Sequence, residues 1–160
     1  MPRKRTDKAA IVRAIVADLA SKEETIRAAA AAATENATHE QSKPENDKDT
    51  RALEASYLAG GYAARARDLK AMQRALELMA LRAFGDDDPI EQSAIVELSR
   101  EGKRERFFLA LHGGGLKVTL GKQTITVVTP ESPLGIALLE KRVGDDVELG
   151  RTTMEIVAVE

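Results

Sequence analysis

Two helical stretches of about thirty residues, separated by one short polar break, constrain this chain more than any other feature of its sequence. The first runs from about Thr6 to Asn36. Ile11, Ile15, Leu19 and Ile26 mark an apolar stripe at helical spacing, and Thr6 or Asp7 can cap the start. An alanine run, Ala28 to Ala33, then keeps the segment helical while offering little to bury. The second stretch runs from about Asp47 to Phe84. In it Leu58, Tyr62, Arg65, Leu69, Met72, Leu76 and Met79 alternate at intervals of four and three, a heptad seam with one charged member. Gly60-Gly61 costs about 1 kcal/mol per residue relative to alanine there, which predicts a close approach of the helices or a bend. Between the two stretches, Ala37 to Asp47 contains Pro44 among small polar residues and reads as a turn.

Two long helices joined by a short turn form an antiparallel hairpin. An arm of about 30 residues spans roughly 45 Å, so the tip is expected to project from the rest of the chain. The expected organisation is a hairpin over 1–84 with its tip near 37–49, a linker at 85–89 carrying Asp86-Asp87-Asp88, and a β-rich domain over 90–160. In that last part the period changes to two. Ala94–Leu98, Arg106–Leu111, Leu116–Leu120 and Thr124–Val128 are β-branched or aromatic runs separated by glycine-bearing turns. Ser132-Pro133 opens a short helix reaching about Lys141, with serine at the N-cap and proline at the first helical position. Val147–Leu149 and Met154–Val159 close the chain as two more strands. The fold class is α+β: a helical hairpin, then a mostly antiparallel sheet packed on one short helix.

Composition narrows the function classes. Aromatic residues make up 3% of the 160, and there is no cysteine, so disulfides and thiolate metal sites are excluded. His39 and His112 are the only imidazoles. The net charge of −2 gives no basic field to attract nucleic acid. No apolar run approaches the roughly 20 residues of a membrane span, and no signal core comes after Met1-Pro2-Arg3-Lys4-Arg5, so a cytoplasmic chain is expected. His112-Gly113-Gly114-Gly115 imitates an esterase oxyanion loop but has no nucleophile elbow to serve. Gly115 to Lys122 has the wrong spacing for a phosphate loop.

Ser132-Pro133-Leu134-Gly135-Ile136-Ala137-Leu138-Leu139, followed by Lys141, Val143-Gly144-Asp145-Asp146-Val147 and Glu155-Ile156-Val157, resembles the C-terminal signature of the Gre transcription elongation factors. Gly61-Tyr62 and Arg65-Ala66-Arg67-Asp68-Leu69 resemble the second helix of that family. The resemblance implies an N-terminal coiled-coil hairpin and an FKBP-like domain that docks on bacterial RNA polymerase, with Ser132, Pro133, Leu134 and Gly135 in the docking signature. It also implies that the hairpin tip enters the secondary channel and lends carboxylates to an Mg²⁺ of the polymerase active site, so that backtracked RNA is cleaved. The chain would have no cofactor of its own, would act as a monomer, and would meet nucleic acid only through the elongation complex.

The family's tip carries an aspartate, two residues, then a glutamate. Here the stretch reads Glu45-Asn46-Asp47-Lys48-Asp49. Asp49 takes the place of the glutamate and Asn46, a neutral amide, that of the aspartate. Asp47 and Asp49, with Glu45 beside them, are the candidate catalytic and metal-holding residues. The same residues also suit a helix start, with Asn46 as cap and two acids in the first turn worth about 0.3–1 kcal/mol each. Two activities are compatible with the resemblance: stimulation of cleavage, or occupation of the channel without cleavage. Proline isomerisation would need an aromatic pocket, whereas Phe107 and Phe108 sit in a strand that reads as core. Self-association through the heptad seam is a further structural alternative.

Overall fold

The computed structural model describes residues 5–40 and 45–160; at 37, 39, 40 and 45–49 the description covers the backbone alone. The chain forms two compact units, Ala17–Arg74 and, separately, Met1–Val16 with Ala75–Glu160. The element order is a helix pair, four strands, a short helix and two strands. This is the α+β arrangement expected from the sequence.

Helix α1 (Lys8–Glu40) and helix α2 (Glu45–Glu77) have 33 residues each, about 50 Å at 1.5 Å per residue. Within the unit Ala17–Arg74, the Gln73 side-chain amide donates to Glu23 at 2.8 Å. That bond sets the register of the pair. On α2, Ala52, Ala55, Ala59, Tyr62, Ala66, Leu69 and Gln73 are buried or half-buried at alternating intervals of three and four. Leu19, Glu23, Ile26, Ala30 and Ala33 do the same on α1. Of the expected heptad, Tyr62, Leu69, Met72, Leu76 and Met79 are buried or half-buried, and Ala66 is buried where Arg65 was expected. Arg65 is exposed and Leu58 is 51% exposed. The charged intruder disappears once the alternate positions move one residue along. At Gly60 and Gly61 an added Cβ would meet nothing within 4 Å, and the helix runs through them. The expected close approach is absent, and packing within the chain does not explain either glycine.

The sheet unit has six strands: β1 (Ile95–Arg100), β2 (Lys103–Leu109), β3 (Lys117–Leu120), β4 (Gln123–Val128), β5 (Asp146–Leu149) and β6 (Thr152–Val159). Their spatial order is β3-β4-β2-β1-β6-β5. Pairing is antiparallel except for β2 with β4, which is parallel. Helix α3 (Pro133–Leu138) packs on β5's side of the unit. One face of the sheet buries Val96, Leu98, Leu109, Met154 and Ile156 together with Leu138 of α3, Phe84 and Ile90. The other face carries Ile95, Phe108 and Ile125, all fully buried. Phe107 packs against the first core, so both phenylalanines of β2 are structural.

The first turns of α1 belong to this unit. Asp7 caps the helix, its carboxylate accepting from the Ala10 amide at 3.0 Å. Ile15 reaches Gly113, where a Cβ would stand 2.4 Å from Ile15 Cγ2 and φ is +88°. The His112–Gly115 loop thus makes room for a helix side chain.

Helix α2 ends at Glu77, short of the expected Phe84. Contacts of residues 82–84 with the sheet unit explain the early end. Ser93, fully buried, accepts from the Arg82 amide at 3.0 Å, and Phe84 enters the sheet core. Neither contact survives if the segment stays helical. At Gly85–Asp88 the Asp88 carboxylate closes a turn on the Gly85 amide at 2.8 Å.

Candidate functional site

The expected break at Ala37–Asp47 narrows, because backbone is helical through Glu40 and again from Glu45. Residues 41–44 lie outside the described residues, as do the side chains of Glu45, Asn46, Asp47 and Asp49 and of His39. The backbone places positions 45–49 in the first turns of α2. On a helix, positions three apart share a face and positions two apart do not. Positions 46 and 49 therefore share a face, while 47 and 49 do not. Among the described residues, no group of three or more His, Asp or Glu side chains could hold a metal ion.

The second expected site, Ser132-Pro133-Leu134-Gly135, is fully described. Ser132 is the N-cap of α3: its Oγ accepts from the Gly135 amide at 3.0 Å and donates to the Thr129 carbonyl at 2.8 Å. Pro133 takes the first turn, where its missing N–H is no loss. Leu134 packs on the core. A Cβ on Gly135 would fall 2.0 Å from the Thr129 carbonyl oxygen, so only glycine allows the helix to lie on that backbone. Ile136, by contrast, is 65% exposed. Three of the four signature residues build the helix start, and the adjoining Ile136 side chain is exposed.

Two polar clusters escape a reading based on apolar periodicity. In the helix pair, Glu23 is buried at a seam position and accepts from Gln73 and, at 2.7 Å, from Arg27. These bonds, Gln73's foremost, hold its carboxyl below the usual range. Its place four residues before Arg27 on the apolar stripe is the signal the sequence offers. Such a carboxylate stabilises the fold above the ordinary carboxyl pKa, and that stabilisation is lost as pH falls through its lowered value. Gln73→Leu should lower the thermal midpoint by removing one partner of a buried carboxylate. Glu23→Leu/Gln73→Leu should restore or raise it and remove the helix pair's share of the acid-side loss. Circular dichroism melts at pH 7 and pH 4 read both effects.

In the sheet unit, Arg106 donates to Glu160 at 2.5 Å and lies 3.8 Å from Glu97. The Thr6 amide donates to Glu160 at 3.0 Å. Burial pushes the Glu160 carboxyl up, but Thr6 and Arg106 outweigh it and hold the group below its ordinary value. Lys8 donates to the backbone carbonyls of Arg82 and Glu160. These residues fasten the start of α1 to β6.

No helix among the described residues is long and apolar enough to cross a membrane. No protein-family profile matches the chain, and no curated protein matches it. Among solved structures, the chain is similar to GreA factor homolog 1 (Gfh1) of Thermus thermophilus, at 21% identity and a TM-score of 0.36, over 91% of this chain and 94% of that one. It is similar to another structure of the transcription factor Gfh1, at 21% identity and a TM-score of 0.35, over 90% and 92% of the two chains. It is also similar to Gfh1 of Thermus aquaticus, at 22% identity and a TM-score of 0.34, over 89% of this chain and 91% of that one.

Proposed function

We propose that this chain is a Gre-like transcription factor that acts on bacterial RNA polymerase in the cytoplasm, its helix pair entering the secondary channel and its sheet unit docking at the rim. The observation that carries this reading is the Ser132–Gly135 segment. It forms a capped helix start on a six-stranded sheet, preceded in the chain by a helix pair with an alanine-rich seam. Alanines at the seam let the helices lie close together, which suits a narrow passage. Leu53, Tyr57 and Leu58, all more than half exposed on α2, offer apolar contacts to a wall.

In the cleavage reading, Asp47 and Asp49 lend carboxylates to the polymerase's active centre. The chain has no donor set for a resident ion among its described residues. A single carboxylate beside waters and phosphate oxygens is, however, an ordinary share of a magnesium site. When bound, that ion lowers the barrier to water attack on the RNA phosphate. The chain's own part is to bring acidic oxygens to the site on a stiff helix. Asn46 favours a second reading, occupation of the channel without cleavage, because it puts a neutral amide where the family pattern has an aspartate three positions before Asp49.

Backtracked polymerase complexes decide between the two. If the chain stimulates cleavage, adding it shortens the transcript, and Asp47→Ala/Asp49→Ala reduces that rate at least about tenfold, equivalent to ~1.4 kcal/mol. Binding to polymerase with no shortening leaves the non-cleaving regulator. Absence of binding overturns both.

A further inference from the structure

We propose that the end of the β1–β2 hairpin is a binding site for a sugar phosphate, its phosphate held by Arg100 and Lys103 and its hydroxyls by Glu101 and Glu105. A cavity of about 570 Å³ lies there, lined by these four residues with Leu98, Arg104 and Met154. That volume is ordinary for a small-molecule pocket. The site lies wholly within the sheet unit and does not depend on the polymerase reading.

Two features of this hairpin end oppose folding. Arg100 and Lys103 stand directly opposite each other in the ladder, and like charges so placed repel. Among the described residues neither cation forms an ion pair, although Glu101 and Glu105 line the same cavity. Glu101 itself has φ +49°, a left-handed backbone that glycine and asparagine adopt more readily. With Gly102 at +79° it makes a two-residue turn of the kind whose central residues both need positive φ. Folding alone would favour opposite charges across the ladder and asparagine in the turn. Local rules broken together at one place point to a ligand.

The strand pairing also presents the groups together. Side chains alternate along a strand, so the register puts Leu98 and Arg100 on one face with Glu105 and Lys103. Leu98 and Met154, both in the core, close the cavity beneath. Arg104 is already engaged, donating to Glu97 at 2.9 Å. A phosphate monoester carries nearly two negative charges at neutral pH and so matches two cations. A guanidinium fork takes two of its oxygens and an ammonium the third. Carboxylates only accept hydrogen bonds, which suits them to hydroxyl donors. A free phosphate would meet the cations but be repelled by the acids, and an uncharged sugar would leave the cations unpaired. A sugar phosphate uses both pairs.

The test is titration of the full chain with glucose 6-phosphate, inorganic phosphate and glucose, followed by heteronuclear NMR. The Glu101, Gly102 and Lys103 amide signals should shift and saturate with glucose 6-phosphate. Inorganic phosphate and glucose should each bind at least about tenfold more weakly. Arg100→Gln/Lys103→Gln should lose the response and raise the thermal midpoint, because the repulsion is gone. Glu101→Gly/Glu105→Ala should weaken glucose 6-phosphate but not inorganic phosphate. The proposal is overturned by shifts that never saturate, by equal affinity for phosphate and glucose 6-phosphate, or by a lower midpoint in Arg100→Gln/Lys103→Gln, which would make the cations structural.

Discussion

Replacing Gly135 with alanine is expected to unfold the sheet unit at temperatures where the parent chain stays intact. The added methyl would stand 2.0 Å from the Thr129 carbonyl oxygen, 2.9 Å from its carbonyl carbon and 3.1 Å from Pro130 Cα. All three are backbone atoms, so no side chain can rotate out of the way. Relief requires α3 to lift, and lifting α3 withdraws Leu138 from the core and breaks the Ser132 cap. Overpacking of this kind costs about 3 kcal/mol, or about 10 °C in the thermal midpoint for a chain of this length. Thermal melts followed by β-sheet circular dichroism measure it. Gly60→Ala is the internal control: with nothing within 4 Å of the new methyl, helix propensity alone should raise the stability of the helix pair by up to about 1 kcal/mol. Two equal substitutions with opposite signs would separate close packing from backbone preference.

The second large effect is expected at the tip. Asn46→Asp restores an acidic pair three positions apart on α2, and such positions share a helical face. If the face pair limits activity, the variant should cleave backtracked transcripts at least about tenfold faster than the parent at equal polymerase occupancy, ~1.4 kcal/mol of barrier. The gain should be largest at low magnesium, where an added carboxylate matters most for holding the ion. An unchanged rate in a variant that still binds polymerase would show that position 46 does not control cleavage, and the regulator reading would lose its support. Single-round cleavage assays across a magnesium titration decide the matter.

How far the sequence can be read depends on how distinctive each side chain is. Strands announce themselves through β-branched runs such as Thr124–Val128. The Ser132-Pro133 helix start is legible because cap and proline have fixed roles. The seam is harder. In a helix this rich in alanine, apolar residues occur on every side, and two stripes pass through Tyr62 and Leu69. Apolarity favours the one with Met72; in the structure Met72 and Gln73 are both half-buried, and Ala66 rather than Arg65 is buried. β2 begins at Lys103, earlier than its apolar run, because Arg100 and Lys103 pair across a charged, exposed hairpin end. The parallel pairing of β2 with β4 cannot be read locally at all, since it depends on where the chain returns. Lys8 and Glu160 look like ordinary solvated charges until the fold brings them together.

The bond between Thr6 and Glu160 joins residues 154 positions apart, and β1 pairs with β6 across almost the whole of the sheet's sequence. The helix pair brings together elements that are neighbours in the sequence, and helices form on the order of a microsecond or less. The sheet must instead wait for its most distant strand before its centre can form. Closing such long loops costs entropy before any contact repays it. Proteins dominated by distant pairings fold in milliseconds to seconds. Refolding from denaturant should therefore proceed in two stages, helices first and sheet later. In that interval β1 would lack β6, leaving one of its edges open to pairing with another chain.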